Sequence, residues 1–210
     1  PHSYTRQSSD EYDNALDLMS GNYGVSGSGY GSYDKPYDTA VINRYAAGWI
    51  DAAQVRVLGT AAASFRLEPS SGNGTQMGVI RAGDGYFTLG ARTRSTYDPI
   101  PSVWQGVEVY EVTPCTASSP YDCPWPRYDF GFWEVIPFGR VPFDYWDLDA
   151  YSKPLAHVIS AGASKTIAGR TVSVAAASGG AYTVTVSAAA PHLTPFTDIA
   201  SSPFKPDIEW

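Results

Sequence analysis

From Gln54 onward the chain keeps switching between apolar and polar residues at every second position, and this alternation limits the folds open to it. QVRVL (54–58), SFRLE (64–68), GYFTLGARTR (85–94) and GVEVYEVT (106–113) all carry it. A β-strand points successive side chains to opposite faces, so period two marks strands with one buried face, as in antiparallel sheets. Turn-forming clusters separate these runs: Pro69 to Gly74, Gly83-Asp84-Gly85, and Asp98 to Pro101. Farther along, RTVSVAA (170–176) and AYTVTVS (181–187) flank Ser178-Gly179-Gly180 and read as a hairpin. The expected architecture is mainly β, with an antiparallel β-sandwich-like module over residues 51–187.

Composition points the same way. The 210 residues include 15 Tyr, 8 Phe, 6 Trp, 20 Gly and 16 Pro, which suits short strands and many turns better than a helical bundle. A chain of this length can bury one good core. The net charge of −7, with no Lys/Arg cluster anywhere, argues against a nucleic-acid partner, because phosphate binding needs concentrated positive charge. No apolar run reaches the roughly eighteen residues a membrane-spanning helix needs, so no span is expected.

The rest of the chain is less regular. Residues 1–35 are polar, rich in Gly and Tyr, and read as a long loop. A helix start is expected at Lys35-Pro36-Tyr37-Asp38, with Asp34 as its cap and Pro36 in its first turn. Tyr37, Val41, Tyr45 and Trp49 recur every fourth residue, on one helical face, and are expected to pack in the core; Gly48 ends the helix. Residues 114–154 are dense in Pro and aromatics and are expected to wrap a sheet surface without forming regular elements. A Pro-rich tail covers residues 188–210.

Chemistry-bearing residues are sparse. Cys115 and Cys123 lie in a Pro- and Ser-rich loop; their spacing matches no common zinc pattern, and a local disulfide is favoured over two free thiols. A disulfide points to an oxidising compartment, as does the sequon Asn73-Gly74-Thr75 if the source is eukaryotic. Asp144, Asp147 and Asp149 are hard oxygen donors of the kind Ca2+ takes. The EF-hand spacing and its Gly are absent, so a solvated acidic loop is the expectation there. His157, in PLAHVISAG, reads as a strand residue, and His192, in APHLTP, as part of an exposed connector.

The segments PHS (1–3), EYDNALDLMSG (11–21), INRYAAGWIDAAQV (42–55) and GVEVYEVTPC (106–115) occur in this order. Together they resemble the downstream half of secreted zinc metalloproteases of the immune-inhibitor-A-like and gametolysin-like kind. The resemblance covers residues 1–112 and, more loosely, 165–187. Proteases of this metzincin type carry H-E-x-x-H-x-x-G-x-x-H on a helix and a Met-containing turn below the metal. His2 matches the third His of that motif and Met19 the Met of the turn. The resemblance therefore implies that His2 is a Zn2+ ligand and that Met19 packs beneath the metal-binding imidazoles. Tyr23, four residues after Met19, is a candidate to hydrogen-bond a tetrahedral intermediate, though its spacing departs from the metzincin Tyr and packing is the alternative.

The first two His and the Glu have no counterpart in these residues. An upstream segment carrying H-E-x-x-H is therefore implied, and the chain alone is expected to be inactive. On this reading residues 1–50 are a remnant of the catalytic domain (loop, Met-turn and one helix), the protein is secreted, and its substrate is a protein or peptide. The contrasting expectation is a non-enzymatic, secreted β-rich module that binds carbohydrate or a protein surface through the Trp and Tyr residues of CPWPRYDFGFW (123–133).

Overall fold

A computed structural model describes residues 38–83, 85–96, 98–114, 127–128, 131–137 and 154–189. His2, Met19, Tyr23, Asp34, Pro36, Tyr37, Cys115, Cys123, Asp144, Asp147, Asp149 and His192 lie outside the described residues. Over the described residues the structure is mainly β, with two sheets rich in antiparallel pairs and one short α-helix.

The strands are β1 (Val55–Leu58), β2 (Ala63–Leu67), β3 (Met77–Ala82), β4 (Gly85–Arg92), β5 (Gly106–Pro114) and β6 (Arg127–Tyr128). They continue with β7 (Gly131–Pro137), β8 (Val158–Ile159), β9 (Ser164–Ile167), β10 (Arg170–Ala176) and β11 (Tyr182–Val186); helix α1 spans Val41–Ala46. One sheet runs β1-β3-β4-β5-β7-β6, with β8 also paired to β5; the other runs β2-β11-β10-β9. The expected hairpin is present, with β10 and β11 antiparallel and joined through Ser178–Gly180.

The two sheets share one core. Leu58, Ile80, Phe87, Leu89, Val107, Val109 and Ile159 from the first sheet cluster with Phe65, Leu67, Ile167, Val172, Val174, Val184 and Val186 from the second. Full burial of each such aliphatic side chain contributes about 1.5–3 kcal/mol against leaving it in water. The opposite face of the first sheet is also covered. Met77, Val79, Tyr86, Tyr110 and Val112 pack there against Ala40, Val41, Ile42 and Ile50. Residues 38–50 thus form a third layer on the sheet, and β4 is buried at all eight positions.

That double coverage accounts for several departures from the sequence reading. GYFTLGARTR is not half-buried, because its polar-looking parity (Thr88, Gly90, Arg92) lies beneath the helix layer. The run MGVIRA, which the alternation does not single out, is strand β3; Met77 to Ile80 are all buried, which erases the alternation. Strands β1 and β3 are parallel, with Val55 opposite Met77, whereas antiparallel pairing was expected throughout. The chain passes through β2 in the other sheet between them, a crossover that returns it in the same direction. Within the Pro-dense segment 114–154, Gly131–Pro137 is not irregular but a strand, whose residues 133–137 pair antiparallel with residues 110–114. Its Phe, Trp, Val and Ile are strong strand formers with no Pro before position 137.

The helix also differs. It begins at Val41 rather than near Pro36, and no side chain of its own caps it. Val41 is fully buried, as the expected stripe requires, but Trp49 is 66% exposed. The helix has ended by Ala46, and Gly48 turns the chain back with a left-handed φ of 73°. The Trp49 amide still donates to the Arg44 carbonyl at 2.9 Å, yet its side chain has left the helical period. His157 sits in the turn just before β8, not in a strand, and its carbonyl accepts the Val109 amide at 2.8 Å.

Candidate functional site

The helix layer meets the sheet over a buried cluster of charges. It is built from alternate positions of two adjacent strands. On β4, Tyr86, Thr88, Gly90 and Arg92 share the face opposite the main core; on β5, Glu108, Tyr110 and Val112 do, and Glu108 pairs with Gly90. Arg92 is 1% exposed and Glu108 0%. Charges this deep are tolerated only when paired and hydrogen-bonded.

Arg92 supplies most of the pairing. Its Nη1 donates to the carbonyls of Asp38 (3.0 Å) and Thr39 (3.3 Å) and lies 3.5 Å from Glu108 Oε2. Its Nη2 donates to Asp98 Oδ1 at 3.0 Å. The same Asp98 oxygen accepts the Asp38 amide at 3.0 Å, and Asp98 is itself oriented by its amide, which donates to Ser95 Oγ at 2.9 Å. Glu108 Oε1 accepts the Val41 amide at 2.8 Å, and Arg44 Nη1 lies 3.6 Å from Asp38 Oδ2. The chain at 38–41 is therefore held by both its carbonyls and its amides.

Gly90 makes this approach possible. A Cβ there would lie 2.6 Å from Val41 Cβ and 2.7 Å from Glu108 Oε1, so any side chain would push the segment off the sheet. Beyond Tyr110 the polar surface continues to the buried His157, whose ring centroid is 5.5 Å from that of Tyr110.

The electrostatics follow from burial. Desolvation pushes the Glu108 carboxyl up to about 7, against the opposing pull of Arg92 and Arg44. Burial works against the Arg92 guanidinium too, but Asp98 and Glu108 outweigh it and hold it above its ordinary value. The two directions are compatible. Arg92 is drawn by three carboxylates, while Glu108 has lost its water and has one close cation. Arg44 is lowered, chiefly by burial.

This cluster is a clamp with a titratable member, and its Arg92 and Glu108 side chains are closed from solvent. Among the described residues no group of three or more His, Cys, Asp or Glu side chains is gathered in a way that could hold a metal ion. Also among them, no helix is long and apolar enough to cross a membrane. Asn73 of the sequon is exposed in the turn between β2 and β3.

Sequence reasoning did not single out Arg92, Glu108, Asp98, Asp38 or Arg44. One signal was there. Glu108 shares its strand parity with Tyr110 and Val112, so a single charge stands on an otherwise apolar face. Outside the cluster, another buried arginine, Arg170, holds three carbonyls: Nε to Ser187 (2.7 Å), Nη1 to Gly59 (2.7 Å) and Nη2 to Ala61 (2.8 Å). No family model, no curated protein and no solved structure matches the chain.

Proposed function

We propose that the chain is the C-terminal part of a secreted, zinc-dependent metalloendopeptidase that hydrolyses peptide bonds. One observation carries this reading: PHS, EYDNALDLMSG, INRYAAGWIDAAQV and GVEVYEVTPC occur in the order and spacing of that family's downstream half. His2 would be one zinc ligand, with the other two and the general-base Glu coming from an upstream H-E-x-x-H segment. A single imidazole is one of the three protein ligands a catalytic zinc site takes, so the remaining donors must come from that segment. Bound there, Zn2+ would polarise the scissile carbonyl and supply the hydrolytic nucleophile.

The chain's own residues would act around it. Met19 would pack beneath the imidazoles, and Tyr23 would be positioned to hydrogen-bond the developing oxyanion. Residues 38–50, packed as a layer on the first sheet, would join the catalytic part to the β module. The decisive experiment joins the upstream coding segment to this chain and assays a protein substrate with and without a zinc chelator. Chelator-sensitive hydrolysis is expected, and absence of hydrolysis by a folded, zinc-loaded protein overturns the reading.

A second reading, a β-rich binding module without catalysis, is favoured by one observation: Trp49 is 66% exposed and flanked by exposed Ala47, Ala52 and Ala53. Retention of the 210-residue chain on a carbohydrate or protein ligand, lost in W49A, would support it.

A further inference from the structure

We propose that Glu108, Arg92, Asp98, Asp38 and Arg44 form a proton-binding latch, in which one proton held on Glu108 closes residues 38–44 onto the sheet. This proposal does not depend on the peptidase reading.

Charge count is the first support. Among the described residues the linked groups are two guanidiniums, Arg92 and Arg44, and three carboxylates, Asp38, Asp98 and Glu108. The cluster therefore carries one negative charge too many, and an uncompensated charge in a dry interior is expensive enough that the group takes up a proton instead.

Geometry says which carboxylate takes it. The Asp38 side chain is 22% exposed and can remain solvated. Asp98 Oδ1 already accepts two hydrogen bonds, one of them from Arg92. Glu108 is 0% exposed, and its Oε2 has no hydrogen-bond partner among the described residues. Thr88 Oγ1 is buried and lacks one as well. Thr88 stands two residues from Gly90, the residue opposite Glu108, on the same face of β4, so it is the diagonal cross-strand neighbour of Glu108. A proton on Oε2 turns that oxygen into a donor whose diagonal neighbour is a hydroxyl able to accept. Oε1 meanwhile keeps the Val41 amide in either protonation state.

The other titratable and charged groups on this face are Tyr45 on α1, Arg81 on β3, Tyr86 on β4, Tyr110 on β5, and His157 beside the Tyr110 ring. Of these, His157 is the rival proton holder, since a charged imidazole would also balance the cluster.

The direction follows from linkage. Closed, Glu108 titrates at about 7; opened to water, it titrates as an ordinary carboxyl, at roughly 4.3. Closing therefore takes up a proton between those two values. The latch is tightest below about pH 4.3, loosens as pH rises to about 7 and changes little above that, with the opening equilibrium rising more than about tenfold between pH 5.5 and 8.

The test is hydrogen exchange of the Val41 amide in the 210-residue chain, read as a protection factor corrected for intrinsic exchange. It is paired with 13C NMR titration of the Glu side-chain carboxyls. Protection is expected to fall more than about tenfold from pH 5.5 to 8, with one Glu carboxyl titrating near neutrality. E108Q should remove the pH dependence, and H157Q should keep it. Protection that does not change with pH, a Glu108 carboxyl that titrates with the exposed ones, or a pH dependence lost in H157Q and kept in E108Q would each overturn the latch. If E108Q fails to fold, the wild-type carboxyl titration decides by itself.

Discussion

The Glu108 carboxylate accepts the Val41 amide at 2.8 Å across a separation of 67 residues, so a helix with no side-chain cap of its own is capped by a strand. An N-terminal helical amide needs an acceptor, and a buried one left without it costs free energy comparable to a lost hydrogen bond. Supplying that acceptor from β5 ties helix formation to sheet formation.

The first prediction follows. Glu108→Ala removes the acceptor and opens a cavity, so it should cost about 2–4 kcal/mol of unfolding free energy in urea. Glu108→Gln keeps an oxygen for the Val41 amide and mimics the protonated side chain in shape. It should cost under about 1.5 kcal/mol. Equal losses in the two variants would mean that the carboxyl's charge, not its capping oxygen, holds the helix layer.

The fold class was legible in the sequence because most strands keep one parity apolar. What hid was the consequence of a third layer. Met77 to Ile80 are all buried, so β3 shows no alternation, and Arg92 and Glu108 look like solvent-facing charges but are buried beneath the helix layer. Trp49 failed for a local reason: four-residue spacing projects a stripe only while the helix lasts, and Gly48 reverses the chain first. The clamp was illegible for a deeper one. Its members come from residues 38–44, 92, 98 and 108, and only register between β4 and β5 brings them together.

The second prediction concerns that register. Gly90→Ala places a methyl 2.6 Å from Val41 Cβ and 2.7 Å from Glu108 Oε1, where neither a packed side chain nor a bonded oxygen can easily yield. It should destabilise by about 1–3 kcal/mol. Gly59→Ala is the control, since a Cβ there meets nothing within 4 Å; it should stay within about 0.5 kcal/mol. Chemical denaturation of the pair separates steric displacement from a general loss of glycine.

The third prediction concerns Arg170. Its fork gathers the carbonyls of Gly59, Ala61 and Ser187, fastening the β1–β2 turn to the strand end after β11. Arg170→Met keeps the apolar stem but removes the three hydrogen bonds that tie the turn to Ser187. A loss of about 2–4 kcal/mol is expected. Arg170→Lys should recover little of it, because an ammonium cannot present the planar fork that spans three carbonyls. Full recovery by Lys would show that charge alone, and not the fork, matters there.

The fourth prediction tests the peptidase reading at single residues, in the protein with its upstream segment restored. His2→Ala removes one of three protein ligands, so the metal is held less tightly and activity should fall by orders of magnitude, with zinc content falling alongside. Met19→Leu replaces one apolar side chain with another of similar volume, and should cost under about 1.5 kcal/mol with most activity retained. The contrast matters more than either value, because a ligand and a packing residue must separate clearly in both zinc content and turnover. A restored, chelator-sensitive protease left fully active by His2→Ala would keep the enzyme but lose the alignment of His2 with the third ligand. Equal, severe losses of activity in both variants with zinc content intact would instead place both residues in the packing of the floor.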